Sequence, residues 1–234
     1  AYLYALPYEY YQKYGIRRYG FHGTSHQYVA KEAAKFLKKP YNSLRMITCH
    51  LGAGSSICAI KGGKSVDTSM GFTPLEGLVM CTRTGDIDPA IIFFLVNHGM
   101  KLQDLYTILN EKSGLLGLSG VSKDMREVIS CATHRCKVAF NVYCYRVRKY
   151  IGSYAAALGG FDVLVFTAGI GENRPEARAA ICDGLEFLGV KIDEKKNKKN
   201  ETDISANDSK VKVLVIPTNE AKLIALETLK VIKK

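Results

Sequence analysis

Met46-Ile47-Thr48-Cys49-His50-Leu51, then Gly52-Ala53-Gly54-Ser55-Ser56, then Ile57-Cys58-Ala59-Ile60 is the stretch that organises this chain. The first run is short and apolar and reads as a buried strand. The last run reads as a second strand returning beside it, because two apolar runs around a glycine-containing turn signal a hairpin. The turn is almost free of side-chain bulk. Glycines admit positive φ and let a ligand approach the main chain closely, and successive N–H groups in such a turn converge on an anion. A phosphate cradle and a plain tight hairpin are both open at this point.

A second unit of the same kind lies downstream. Val163-Leu164-Val165-Phe166 reads as a central strand running into Thr167-Ala168-Gly169-Ile170-Gly171-Glu172-Asn173-Arg174-Pro175, with a helix starting near Pro175. Two strand–glycine turn–helix units in one chain point to nucleotide binding. The unit lacks the third glycine of the dinucleotide fingerprint, so NAD is not inferred. Gly62-Gly63-Lys64-Ser65 resembles the end of a P-loop, but Cys58 stands where that pattern needs its first glycine. It reads instead as the turn into a third strand over 64–67.

Around these units the chain alternates helices and strands. Thr24 with Gln27 makes a capping-box pattern for a helix ending at Lys39-Pro40, which places His22 just before a helix N-terminus. Asp88-Pro89 opens a helix over 90–96 that is apolar on all sides and is expected to be buried. Short helices are expected over 102–110 and 122–131, separated by a glycine-rich turn at 114–120. A long helix over 133–158 carries the stripe Tyr143, Val147, Ile151, Tyr154 and Leu158, and Gly159-Gly160 ends it. Residues 191–208 are lysine-rich and read as a mobile surface loop, 211–216 as the last strand, and Pro217-Thr218-Asn219-Glu220 as the start of the last helix. There Glu220 is either a first-turn carboxylate favoured by the helix dipole or a metal ligand. The order predicts an α/β fold with a mixed sheet of about five strands flanked by helices.

The composition excludes several classes. The chain has 234 residues, 47% of them hydrophobic and 24% charged, which suits a globular protein. No apolar run is long enough for a membrane span. Its start, Ala1-Tyr2-Leu3-Tyr4, has no signal-peptide layout and no initiator Met. The seven cysteines are scattered and form no C-x-x-C pair, so reduced thiols in a cytoplasmic protein are expected rather than disulfides or zinc. The net charge is +11, with much lysine in 191–199 and at Lys230, Lys233 and Lys234. No aromatic interleaving or nucleic-acid motif accompanies it. It reads as a solvated basic surface whose field draws in small anions.

Six blocks together resemble the acetate kinase family, in the ribonuclease-H-like group that includes actin-like ATPases. They are Arg18-Tyr19-Gly20-Phe21-His22-Gly23-Thr24-Ser25-His26, His50-Leu51-Gly52, Gly71-Phe72-Thr73-Pro74-Leu75-Glu76-Gly77, Thr82-Arg83-Thr84-Gly85-Asp86, Gly169-Ile170-Gly171-Glu172-Asn173 and Thr218-Asn219-Glu220. The resemblance implies a ribonuclease-H-like domain and reversible transfer of the ATP γ-phosphoryl group to acetate, giving acetyl phosphate and ADP. It implies that His22 and Arg83 are catalytic and bind the transferring phosphoryl group. His50, Leu51, Gly52, Ala53 and Gly54 would touch the ATP phosphates. Asp124, Met125 and Arg126, with Gly169, Ile170, Gly171, Glu172 and Asn173, would bind the adenosine end. Phe21 and Pro74 would wall the acetate methyl pocket, and Glu220 would help hold Mg²⁺. A homodimer through this domain is implied, with neither nucleic acid nor membrane as partner.

The chain departs from the family pattern in three places. Ala53 stands where many members carry Asn, Cys81 where Gly is usual, and the family's longer N-terminal region has no counterpart here. Residues 1–234 therefore read as the C-terminal nucleotide-binding domain of an acetate kinase, expected to bind nucleotide weakly and not to turn over alone. In the whole enzyme the last helix, with Leu223, Leu226 and Leu229, would pack on the other domain. The alternatives are a non-catalytic nucleotide-binding interaction module on the same fold, a propionate-preferring kinase and, least favoured, a basic nucleic-acid binder.

Overall fold

The computed structural model describes residues 1–232, so Lys233 and Lys234 of the basic tail lie outside the described residues. In chain order the elements are α1 (Tyr8–Tyr14), α2 (Gly23–Phe36), β1 (Arg45–Leu51), β2 (Ser55–Lys61), β3 (Lys64–Thr68), α3 (Ala90–Asn97), α4 (Leu102–Glu111), α5 (Gly114–Ser119), α6 (Met125–Ser130), α7 (His134–Leu158), β4 (Val163–Thr167), α8 (Ala168–Asn173), α9 (Pro175–Cys182), α10 (Glu194–Lys198), β5 (Lys212–Val215) and α11 (Glu220–Ile232). The five strands form one sheet in the order β3-β2-β1-β4-β5. The first three strands make an antiparallel meander, while β4 pairs parallel with β1, and β5 parallel with β4. This is the mixed α/β sheet expected from the sequence.

The period-two alternation of the strands divides the core. Ile47, Cys49, Leu51, Ile57, Leu164 and Phe166 pack with Tyr143, Val147, Ile151, Tyr154 and Leu158 of α7. Met46, Cys58, Ile60, Val163 and Val165 pack with Val29, Ala30 and Ala33 of α2. Thr48, His50 and Ser56 share the α2 side by the same alternation, so a polar cluster closes the far end of that layer.

Several local expectations are corrected. The Thr24–Gln27 capping box does not form: α2 starts at Gly23, and its N-cap is His22 in the left-handed region at φ 58°, with no side-chain cap. Helix α3 buries none of its residues; Phe93 is 69% and Phe94 59% exposed. An all-apolar sequence demands burial but does not specify against what. The glycine-rich stretch 114–120 contains α5, ended by Gly120 in the left-handed conformation. The lysine-rich stretch is not a bare loop. It contains α10, capped by Asp193, and is pinned by the bridges Ile192–Ser205 and Asp203–Leu214. Cys131 and Cys136 are joined in a disulfide, against the expectation of thiols throughout. The other five cysteines are free. Among the described residues no helix is long and apolar enough to cross a membrane.

Candidate active site

The two glycine-containing segments meet at the tips of the adjacent strands β1 and β4, and the second is not the turn expected but the short helix α8, which follows β4 directly. A Cβ built on Gly52 would lie 3.6 Å from the Cβ of Ala168, the first residue after β4. Ala168 is itself held at φ 65°, an uncommon conformation for a residue with a side chain and one that recurs at functional sites. The 80–83 loop docks on the same turn through the Cys81 N–H, which donates to the Ala53 carbonyl at 3.2 Å.

The two groups expected to be catalytic both stand against Gly54. A Cβ there would lie 3.4 Å from Arg83 Nη1, 3.4 Å from His22 Cε1 and 3.5 Å from His22 Nε2. The Arg83 guanidinium has only long contacts of its own, to the Pro74 carbonyl at 3.4 Å and Met80 Sδ at 3.7 Å. Its permanent charge and planar fork of donors are thus available to an anion. Gly85 explains how this loop turns back: at φ +67° it lies so close to the Gly77 and Leu78 carbonyls that a Cβ would come within 2.4 Å of each.

A cavity of 580 Å³ opens beside this point. Gly52, Ala53, Gly54, Arg83, Asp124, Met125, Arg126, Gly169, Ile170 and Asn173 line it, together with Cys81, Thr82, Lys123 and Arg174. Its volume is within the range of small-molecule sites. Asp124 caps α6 by accepting from Arg126 N at 2.8 Å. Hydrogen bonds from Arg126 hold its carboxyl below the usual carboxylate range. Thr82, Lys123 and Arg174 were not anticipated from the sequence, because single loop residues carry no periodic signal.

The remaining expected residues stand apart from this cavity. Leu51 and Gly171 are buried in the frame behind it. Glu172 is a brace: its carboxylate accepts from Ala168 N at 2.7 Å and Thr218 N at 3.1 Å. Phe21 is 38% exposed and lines a separate 280 Å³ cavity beside α2, whereas Pro74 sits next to Arg83. His50 stacks on His22 and bonds Ser25 Oγ through Nδ1 at 2.8 Å. Ser25 Oγ in turn meets Thr218 Oγ1 at 2.8 Å, which ties the start of α11, and Glu220 two residues on, to the histidine side of the site.

The site's histidines are held neutral. Burial, reinforced by Arg83, lowers the pKa of His22. Burial and the facing His22 lower His50 to about 4. Burial, His50 and His22 lower His26 to about 3. Arg178 is the largest wholly buried side chain, and sequence reading missed it. It donates to the Gly171 and Glu172 carbonyls at 2.8 and 2.9 Å and to Asn197 Oδ1 at 2.8 Å. In this way it fixes the second glycine-containing segment to α10.

The acetokinase family model matches residues 1–226. The chain is 59% identical over 240 residues to the acetate kinase of Thermoanaerobacterium thermosaccharolyticum, covering 100% of this chain and 60% of that protein. The crystal structure of Porphyromonas gingivalis acetate kinase superposes with a TM-score of 0.96 at 47% identity, covering 99% of this chain and 60% of that one. A propionate kinase from Francisella tularensis gives a TM-score of 0.90 at 46% identity, covering 96% and 58% respectively. The chain thus spans about 60% of the length of the curated relatives it matches. On this evidence of sequence and structure, the chain belongs to the acetokinase family.

Proposed function

We propose that this chain is the nucleotide-binding and phosphoryl-binding part of an acetate kinase that transfers the ATP γ-phosphoryl group reversibly to acetate. The observation that carries the reading is the placement of both His22 and Arg83 within 3.5 Å of a Cβ built on Gly54, which with Arg83 lines the cavity between the first glycine turn and the segment after β4. In-line phosphoryl transfer needs positioning and charge stabilisation more than covalent help. The phosphates lie along 52–54, and the adenosine end lies between 124–126 and 169–173. His22 Nε2 and the Arg83 guanidinium take the equatorial oxygens of the transferring group. Each contact, where it strengthens in the transition state, lowers the barrier by roughly 3 kcal/mol. Pro74, beside Arg83, is the wall proposed for the acetate methyl, whereas Phe21, the other wall the resemblance implies, lines the separate cavity beside α2.

Mg²⁺ would be held jointly by this chain and the phosphates of the nucleotide. Among the described residues no group of three or more His, Cys, Asp or Glu is placed to hold a metal. That suits Mg²⁺, which is commonly held by one or two carboxylates plus substrate phosphates and keeps several waters. Glu220 would hold it, and the ion would neutralise charge on the phosphates.

The rest of the enzyme is proposed to lie outside these residues, consistent with the 60% coverage of relatives. The exposed face of α11, with Leu226 46% and Leu229 49% accessible, supports a covering segment there. Helices α3 and α4 expose Phe93, Phe94, Leu102 and Tyr106, which supports a homodimer through this surface. Five free thiols support a cytoplasmic location, and the Cys131–Cys136 disulfide counts against it.

The test is calorimetry and turnover on this polypeptide. It is expected to bind Mg-ADP weakly, to form no acetyl phosphate alone, and to gain activity when joined to the complementary portion of a relative. Absence of nucleotide binding overturns the assignment, and turnover by the chain alone overturns the division into parts. The similarity to a propionate kinase favours propionate as a second acceptor, since one methylene discriminates by only about 1–3 kcal/mol.

A further inference from the structure

The polar end of the α2 layer holds a linear hydrogen-bond chain. His26 is 4% exposed and uses both ring nitrogens: Nδ1 lies 2.8 Å from Thr48 Oγ1, and Nε2 lies 2.7 Å from Ser56 Oγ. The same Ser56 Oγ lies 2.9 Å from His22 Nδ1. Beyond it, His22 Nε2 faces the Gly54 turn beside Arg83. A hydroxyl has one proton, and a neutral imidazole has one N–H and one lone pair. With both rings neutral, the four groups can satisfy all three bonds in three ways, because a hydroxyl oxygen can accept twice, but only one of them also gives the protons of Thr48 and Ser56, both wholly buried, an acceptor within the chain.

In that arrangement Thr48 donates to His26 Nδ1, His26 Nε2–H donates to Ser56, and Ser56 donates to His22 Nδ1. His22 then presents Nε2–H to the cleft. In the other two arrangements His22 Nδ1–H donates to Ser56 and His22 turns a lone pair toward the place where an anion would sit, and the proton of one buried hydroxyl, Thr48 or Ser56, is left without an acceptor among these groups. Burial and Arg83 on the cleft side disfavour a second proton on His22, so the ring is neutral, and the placement of the hydroxyl protons selects its Nε2–H form.

We propose that Ser56, His26 and Thr48 are positioning residues that lock His22 in the neutral, Nε2-protonated form, so that it meets a phosphoryl oxygen as a pre-oriented hydrogen-bond donor. The anion rests on the kinase reading above; the tautomer does not. The device is costly to misorder, because buried donors without acceptors are unfavourable. It is also absent from any local sequence motif, because its members come from α2, β1 and β2.

Ring-¹⁵N spectroscopy of the labelled chain at neutral pH tests this without any ligand, with His22 assigned by comparison with His22→Gln. The expected result is a bare Nδ1 and a protonated Nε2 on His22; the opposite tautomer or an imidazolium overturns the proposal. In Ser56→Ala, with its fold checked by the amide spectrum, His22 is expected to populate both tautomers, and an unchanged His22 signature removes Ser56 from the device. In a full-length acetate kinase carrying this chain, Ser56→Ala is expected to lower kcat at least about tenfold, part of the 10²–10³ that losing a transition-state donor costs. The KM for ATP should stay within about twofold. Loss confined to KM overturns the positioning role. The stated tautomer in a chain with no affinity for ADP would leave the device standing and remove the kinase reading.

Discussion

His22 and His50 stack face to face, with ring centroids 4.0 Å apart and planes 19° from parallel. Two imidazolium ions at that distance would repel, and burial already disfavours the charge. Burial is the main cause of the lowered pKa values of all three histidines; Arg83 adds to it for His22, the facing His22 for His50, and both of those rings for His26.

A pH dependence of stability results. The unfolded histidines titrate near 6.5, whereas His50 does so at about 4 and His26 at about 3 in the folded chain. Between those values the unfolded state binds more protons, so stability falls as pH falls. Above about pH 6.5 these groups contribute no slope. Urea denaturation from pH 8 down to pH 4 should show a midpoint that is flat and then declines. His26→Gln should make the decline shallower; a midpoint that rises on acidification contradicts the assignment.

Arg83→Ala should lower kcat of the full-length enzyme by about 10²–10³ while leaving nucleotide affinity nearly unchanged. Its side chain makes only long contacts within the protein, so the thermal midpoint should not move. Comparable loss of ADP affinity in calorimetry would place Arg83 on the bound nucleotide rather than on the group in flight.

Gly54→Ala should block the site without unfolding it. The added methyl would meet Arg83 and His22 at 3.4 Å, which is ordinary contact, and it would fill the gap that the phosphoryl group needs. Activity is expected to fall about tenfold or more, with the melting temperature held. A fully active variant would mean that the phosphates pass elsewhere.

Arg178→Met should be a stability mutant. It strips donors from the Gly171 and Glu172 carbonyls and from Asn197 in a buried setting, a loss on the order of 3 kcal/mol. Urea unfolding measures this directly. Arg178→Lys should rescue little, because a point charge cannot span α8, α9 and α10 as a planar fork does.

Thiol titration of the denatured chain should find five reactive thiols before reduction and seven after, given one disulfide and five free cysteines. Seven before reduction would restore the expectation drawn from cysteine spacing.

Much of the frame was readable because it is local. Two apolar runs around Gly52 to Gly54 mark the hairpin, and a 3.6-residue stripe from Tyr143 to Leu158 marks α7. The apolar run 163–166 ending in glycine marks β4. The family blocks located His22 and Arg83 by type and order. They did not distinguish residues that line the cleft from residues that brace it: Glu172 holds the β4 turn and the start of α11, and Glu76 pairs with Arg18. Helix α3 misled for the complementary reason, since an apolar surface looks the same to sequence whether its own core or another chain covers it.

Periodicity and glycine placement alone determined the five strands and the longer helices, and that glycine-containing segments end two of the strands. Only the tertiary structure decided that those segments meet, that an imidazole and a guanidinium both stand against Gly54, and that Thr48, His26 and Ser56 stand in line behind His22. The reason is physical. Backbone propensity and side-chain period act over a few neighbouring residues, whereas a hydrogen bond between β1, β2 and α2 exists only after the sheet has brought distant positions within 3 Å of one another.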